Sequence, residues 1–331
     1  AYGYFSPVEE YYDSIIRWHK IRNNVEGLMP EYIGYENGVL GGVISALTAF
    51  AAPGDAVLLH SPTYIGFTKC ITENGYKIVH SPLKKDEKGI WRMDYEDMDA
   101  KLKANNIHVA VFCSPHNPTG RVWERWEIEE AMEVYKNNEC VVIADEIYSQ
   151  LVYDGTEHVS IASLPGMKER TITLGGFSKA YSMTGWRLGY ACGPKEIISQ
   201  MTKLHQFAIM CAPTNSQFAA IEALKNCDME VNKMVTAYDQ RRRYLMHAFK
   251  EMGLDCFEPF GAFYVFPSIK KFGLSSEEFA NRLLREQKLA VVPGTAFGDC
   301  GEGFLRISYA YSIDNLKLGL ERIERFISTL K

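Results

Sequence analysis

The sequence has no CxxC pair, no run of basic residues and no apolar stretch long enough to span a bilayer. The first absence leaves neither a zinc site nor a dithiol redox motif, and no metal is expected. Its eight cysteines, Cys70, Cys113, Cys140, Cys192, Cys211, Cys227, Cys256 and Cys300, lie far apart. Several sit inside apolar runs such as Val111-Phe112-Cys113 and Cys140-Val141-Val142, where they read as small buried hydrophobes. A reducing, cytoplasmic setting is expected. With no basic run and a net charge of −5, nucleic acid is not an expected partner. No membrane association is expected either. The opening Ala1-Tyr2-Gly3-Tyr4 does not read as a signal peptide. There is no internal repeat, no low-complexity tract and no GxGxxG fingerprint.

What is present is an ordinary globular composition, 47% hydrophobic and 23% charged over 331 residues. That length has room for about two domains and a sizeable core. Apolar strands alternate with helices through the first two thirds. Strands are read at 56–60, 76–80, 109–112, 141–144 and 171–174. Helices are read at 9–22, 43–52, 65–74, 94–104 and 124–137, and a polar hairpin or loop at 84–91. This alternation predicts an α/β fold with a mostly parallel sheet and helices on both faces. Residues 214–251 read as a long helical stretch broken near Cys227-Asp228, bridging two domains, with Arg241-Arg242-Arg243 on a solvated face. Beyond it come strand segments within 254–266, a helix at 275–286, strands at 288–292 and 304–309, and a terminal amphipathic helix at 313–330. They read as a smaller α+β domain.

In parallel sheets ligands bind at the carboxyl ends of the strands. Four strand exits carry unusual residues: Tyr64, Asn117, Asp145 and Lys179. Each alone has a plain alternative, such as core packing for the tyrosine or an ordinary surface position for the lysine. Four at one sheet edge form a constellation. Around Asn117, two prolines and a glycine (Pro115, Pro118, Gly120) stop the strand and fix a loop, with either X–Pro bond free to be cis. The stretch 175–189 (GGFSKAYSMTGWRLG) opens with two glycines, expected to turn the backbone and approach something closely. It then offers Ser178, Lys179 and Arg187. A lysine among small and apolar residues is poorly solvated, which lowers its pKa and frees its amine for carbonyl chemistry. Asn37-Gly38-Val39-Leu40 before an apolar helix offers open N–H groups to an anion.

Together these residues resemble the class I/II pyridoxal-phosphate (PLP) enzymes of the aspartate-aminotransferase superfamily, fold type I. The resemblance rests on Pro62-Thr63-Tyr64, His116-Asn117-Pro118-Thr119-Gly120, Asp145-Glu146-Ile147-Tyr148, Ser178-Lys179, Trp186-Arg187-Leu188-Gly189, Gly261-Ala262-Phe263-Tyr264, Val292-Pro293-Gly294 and Arg306-Ile307-Ser308-Tyr309, in family order along nearly the whole chain. It implies an aminotransferase acting on L-amino acids and 2-oxo acids by a ping-pong route. Lys179 would form the Schiff base with the cofactor and shuttle the Cα proton. Asp145 would pair with the pyridine nitrogen, and an opposite charge there keeps that nitrogen protonated. Asn117 and Tyr148 would hydrogen-bond the phenolic oxygen, and Tyr64 would stack on the ring. Gly38, Val39 and Leu40, with Ser178 and Arg187, would hold the phosphate. Arg306, with Asn117, would clamp the substrate carboxylate, which a planar guanidinium matches bidentately. Tyr4 would reach the partner's site in a homodimer.

Residues 1–140 look most like the cystathionine β-lyase (C–S lyase) branch, as in Asn117-Pro118-Thr119-Gly120-Arg121-Val122-Trp123. Residues 141–331 look like bacterial aspartate-type aminotransferases. A β-eliminating lyase is therefore the alternative activity, and a non-catalytic regulatory homologue a further one. The resemblance also implies a large cofactor-binding domain at 25–215 and a small domain from 1–24 and 216–331, with an amino end shorter than is usual in the family.

Overall fold

The computed structural model describes residues 7–330. In chain order its elements begin with α1 (Glu9–Asn23), β1 (Ile33–Glu36), α2 (Val39–Phe50), β2 (Ala56–Ser61), α3 (Ile65–Glu73) and β3 (Lys77–Pro82). A small hairpin, β4 (Lys84–Lys85) with β5 (Trp91–Arg92), precedes α4 (Tyr95–Ala104), β6 (Val109–Cys113), α5 (Arg125–Asn137) and β7 (Val141–Asp145). Then come β8 (Thr171–Gly176), β9 (Gly189–Cys192), α6 (Lys195–Ala208), α7 (Thr214–Asn226) and α8 (Asp228–Glu251). The chain closes with β10 (Tyr264–Val265), α9 (Ser276–Gln287), β11 (Val292–Pro293), β12 (Leu305–Ser308) and α10 (Ile313–Ser328).

Seven strands form the main sheet in the order β1-β9-β8-β7-β6-β2-β3. The pairs from β3 through β8 are parallel, while β9 runs antiparallel to both β8 and β1. The fold is thus the expected α/β class with a mostly parallel sheet. Side chains alternate across it as a pleated strand requires. Leu58, Ala110, Phe112, Val142 and Ala144 face one core with Met98 of α4 and Ile128 of α5. Val57, Leu59, Val109, Val111 and Ile143 face another with Val43 of α2, Phe67 of α3 and Ile198 of α6. Burial on both faces explains the unbroken apolar runs.

A smaller three-stranded sheet, β10-β12-β11, packs with α8, α9 and α10 around Phe249, Phe279, Leu283 and Phe326. Ser275 and Ser312 cap α9 and α10 by accepting the N–H of Glu278 and Asn315. Helices α1 and α7 pack on each other and on Phe177, Leu188 and Tyr190 beside the main sheet.

Several local expectations change. Gly175 and Gly176 do not turn the chain; they end β8, paired with Tyr190 and Gly189. Their smallness serves a close approach, since a Cβ on Gly175 would lie 2.5 Å from the Tyr190 ring. Helix α2 starts at Val39, four residues earlier than its apolar run indicated, because Gly38 supplies the break at φ 83°. Strands β1 and β9 were not anticipated; each is four residues long and β1 carries the polar Glu36. In 254–263 only Gly261 pairs, as an isolated bridge to Val152, and 288–291 is not strand. The arginine run does not lie on a solvated face throughout. Arg242 is fully buried, where its guanidinium donates to Asp239, Glu258 and Asp154 and to the Pro259 carbonyl.

Candidate active site

Strands β2, β6, β7 and β8 are neighbours and run the same way. Their carboxyl ends therefore bring Tyr64, Asn117, Asp145 and Lys179 to one edge. Strand β1 exits at that edge too and delivers Asn37-Gly38 to the start of α2. The residues enclose a cavity of about 190 Å³ lined by Gly38, Val39, Leu40, Tyr64, Asn117 and Asp145 on one side of its wall. Tyr148, Ser178, Lys179 and Arg187 complete the wall, with Ile147, Thr184 and Tyr264.

Asp145 ends β7 and is buried. Its Oδ1 accepts the Ile147 N–H at 3.0 Å, and the Cys113 thiol lies 3.9 Å from Oδ2. Among the described residues it makes no ion pair. Burial pushes its carboxyl up to about 7, against the Ile147 N–H and the Lys179 charge, which favour the carboxylate. Lys179 follows the β8 exit. Burial lowers its pKa; Asp145 opposes that and Arg306 adds to it. Its Nζ stands 5.7 Å from the Tyr148 ring centroid and 5.8 Å from that of Phe263. Tyr148 is buried, which keeps its hydroxyl protonated, and that hydroxyl is 3.1 Å from the Tyr264 hydroxyl.

Another group of wall residues has the chemistry to hold an anion. Gly38 caps α2, whose first N–H groups have no partner within the helix. Arg187 sits in the left-handed region at φ 51° and is held by two carbonyls. Its Nη1 donates to Thr184 at 2.9 Å and its Nη2 to Asn37 at 2.7 Å. A Cβ on Gly38 would stand 2.5 Å from that Nη2 at a φ of 83°, so a side chain there would be strained and would push the guanidinium aside. Thr184 in turn donates to the Ser178 carbonyl at 2.9 Å.

Tyr64 sits at the N-cap of α3, its ring edge-on to Phe67 at 5.4 Å. Gly66 leaves room for that ring. The Asn117 loop is closed by His116 N–H to the Arg121 carbonyl at 2.7 Å and by Gly120 N–H to the His116 carbonyl at 2.8 Å. Both the Ser114-Pro115 and Asn117-Pro118 bonds are cis, as is Ser61-Pro62. Arg306 comes from β12 in the smaller sheet. It stands just behind the wall, its Nη1 donating to Asn117 Oδ1 at 3.2 Å. The Tyr264 and Phe297 rings flank its guanidinium at 4.4 and 4.7 Å.

All the expected residues but two are thus gathered around one cavity; Arg306 lines another cavity with Val292, Ile307 and Tyr311 and reaches this one through Asn117, and Tyr4 lies outside the described residues. Thr184, Cys113, Tyr264 and Phe297 were not singled out for the site. Tyr264 stood in a quoted motif, but nothing in the sequence pairs it with Tyr148 across 116 positions.

The family model "Aminotransferase class I and II" matches residues 1–323. A putative aminotransferase, YugH, of Bacillus subtilis is 45% identical over 282 residues, covering 85% of this chain and 72% of the relative. An aspartate aminotransferase of Pyrococcus abyssi is 37% identical over 332 residues, covering 100% and 85%. Among solved structures, cystalysin from Treponema denticola, which contains a pyridoxal 5'-phosphate cofactor, superposes with a TM-score of 0.93 at 25% identity, covering 100% of this chain and 85% of that one.

Proposed function

This chain belongs to the class I and II aminotransferases, and we propose that its cavity moves an amino group between an L-amino acid and a 2-oxo acid, with pyridoxal 5'-phosphate held by the residues gathered there. The observation that carries this reading is the pairing of two opposite needs in one cavity. Asp145 is a buried acid with no ion-pair partner among the described residues, and Gly38, Val39, Leu40, Ser178 and Arg187 offer helix N–H groups and a guanidinium suited to an anion. A phosphorylated pyridine answers both, and Lys179 in the same wall would supply the amine for its aldehyde.

When bound, the cofactor supplies an aldehyde that takes up the amino group and a ring that draws electrons from the substrate Cα. The protein does the rest. Asp145 holds a proton on the ring nitrogen; their attraction is about 4 kcal/mol at an effective dielectric near 20, before desolvation. Lys179, its pKa lowered by burial, takes the Cα proton as a neutral amine and returns it. Asn117 and Tyr148 would donate to the phenolic oxygen, and the Tyr64 ring would stack on the pyridine. Arg306 accepts the substrate α-carboxylate as a planar fork.

The division into a cofactor domain at 25–215 and a small domain from 1–24 and 216–331 belongs to the same proposal, with Arg306 crossing between them. So does a homodimer. Trp186, beside Arg187, is 45% exposed, and Phe207 at the end of α6 is 88% exposed, with Met210 and Phe218 also exposed. Such apolar surface suits a second copy, and Tyr4 would reach the partner's phosphate cradle. The eight free cysteines suit a cytoplasmic setting.

The test is a donor screen on purified, cofactor-loaded protein. Lysine-linked yellow colour, fixed by borohydride to the peptide containing Lys179, and amino transfer that requires an oxo acid are expected. Steady pyruvate release from cystathionine with no oxo acid present would move the assignment to β-elimination. Colourless protein that takes up no cofactor would overturn it.

A further inference from the structure

Tyr264 touches two parts of the site that have separate tasks. Its ring lies 4.4 Å from the Arg306 guanidinium carbon, and its hydroxyl lies 3.1 Å from that of Tyr148. The smaller sheet fixes this placement. Tyr264 of β10 pairs with Ser308 of β12, so Arg306, two residues before Ser308, is its diagonal neighbour on the same face. Phe263 meets the Tyr148 ring edge-on at 5.4 Å and holds that ring against β10. The tyrosine is itself buried, so its hydroxyl has little recourse to water.

Resting on the site assignment above, we propose that Tyr264 is a positioning residue that couples carboxylate binding at Arg306 to the hydrogen bond Tyr148 gives the cofactor. The direction follows from the chemistry of the two hydroxyls. When Tyr148 gives its hydrogen to the phenolic oxygen, its own oxygen accepts from Tyr264. A donor in such a chain strengthens the next bond. A cation over the Tyr264 ring draws electron density from it and makes its hydroxyl a better donor. A carboxylate on Arg306 neutralises that cation and weakens the chain. Stronger donation to the phenolic oxygen favours its negative form and lowers the pH at which the bound chromophore loses its proton. Arg306 also donates to Asn117, so two routes lead from the substrate carboxylate toward the same oxygen, and only one passes through Tyr264.

The test separates the hydroxyl from the ring. In the holoenzyme, Tyr264→Phe keeps the ring over Arg306 and removes the hydroxyl. It should raise the pH midpoint of the cofactor absorbance by about 0.3 unit, the share that cooperativity adds to a charge-assisted bond. It should also shrink the upward shift caused by saturating maleate, an unreactive dicarboxylate, and leave KM within about two-fold. Tyr264→Leu removes the ring as well and should raise KM about three-fold. A Tyr264→Phe midpoint and maleate shift equal to wild type would overturn the coupling. Tyr148→Phe is the control. If it moves the midpoint and Tyr264→Phe does not, the coupling falls and the site assignment stands. If wild-type protein binds no cofactor, the assignment itself falls.

Discussion

Asp145→Asn should make the cofactor-free protein more stable at alkaline pH and the cofactor-bound protein less so. The wild-type carboxyl is raised from 3.8 to about 7 by burial. An acid whose pKa is higher folded than unfolded favours the folded state at low pH and opposes it once ionised. The penalty is absent below pH 3.8, grows as pH rises toward 7 and is then complete. Three units correspond to about 4 kcal/mol at pH 8 and, integrated only to pH 5, to about 1.5 kcal/mol. The asparagine keeps an oxygen for the Ile147 N–H but leaves an NH2 facing only the Cys113 thiol, a loss of about 1–2 kcal/mol. The net expectation is a gain of about 2–3 kcal/mol at pH 8 and about zero at pH 5. Urea unfolding of the two apoproteins at both pH values measures it. With cofactor added, the order should reverse, because wild type gains an ion pair that the amide cannot form. Equal pH dependence in the two apoproteins would refute the reasoning, since it would mean that Asp145 is not ionised against burial.

Three other substitutions probe the frame of the site. Gly38→Ala places a methyl 2.5 Å from Arg187 Nη2 at a φ of 83°, so cofactor affinity should fall at least about ten-fold by fluorescence titration, with inorganic phosphate no longer competing. Gly66→Ala places a methyl 2.4 Å from the Tyr64 ring. It should lower stability by about 1–3 kcal/mol and shift the absorbance of bound cofactor as the covering ring moves. Arg242→Ala, which lines no part of the cavity, should cost about 1–3 kcal/mol in urea unfolding by removing a fully buried guanidinium from Asp154, Asp239 and Glu258, the first two keeping Arg243 as a partner.

The parts of the fold that could be read from the sequence are those in which one local pattern decides the outcome. Strand β6 is apolar throughout and β7 apolar up to its final Asp145 because both faces are covered, and α9 and α10 carry a serine cap before an apolar stripe. What resisted reading depends on distant partners. Strand β9 is strand because Gly189 and Tyr190 lie between β8 and β1, and its own four residues carry little signal. Arg242 sits among charged neighbours on a helix, which is the pattern of a solvated face. Its burial follows from Asp154 and Glu258, 88 and 16 positions away. The site was more legible than the strands, because strand exits in a parallel sheet converge whatever their exact ends. Tyr264 remained hidden because its tasks are contacts, with Tyr148 and Arg306, that no spacing reveals.

Asp145 and Glu146 show how finely the sheet separates what the sequence sets side by side. Both are buried acids at one strand exit. Glu146 has more partners: its Oε1 accepts the Ser160 hydroxyl at 3.0 Å and the Ile161 N–H at 3.1 Å, and its Oε2 lies 3.2 Å from His158 without a hydrogen bond of good geometry. Asp145 has one backbone N–H and a weak thiol donor. Asp145, the last strand residue, lines the cavity, while Glu146, just past the strand end, lines a separate pocket with Trp18, His19 and Tyr190. The neighbour is not a bystander. Its fixed negative charge adds to burial in holding the Asp145 proton. An acid raised in this way takes its carboxylate form when a cation stands beside it, so pairing with a protonated ring would offset the cost of ionising Asp145 in its buried position.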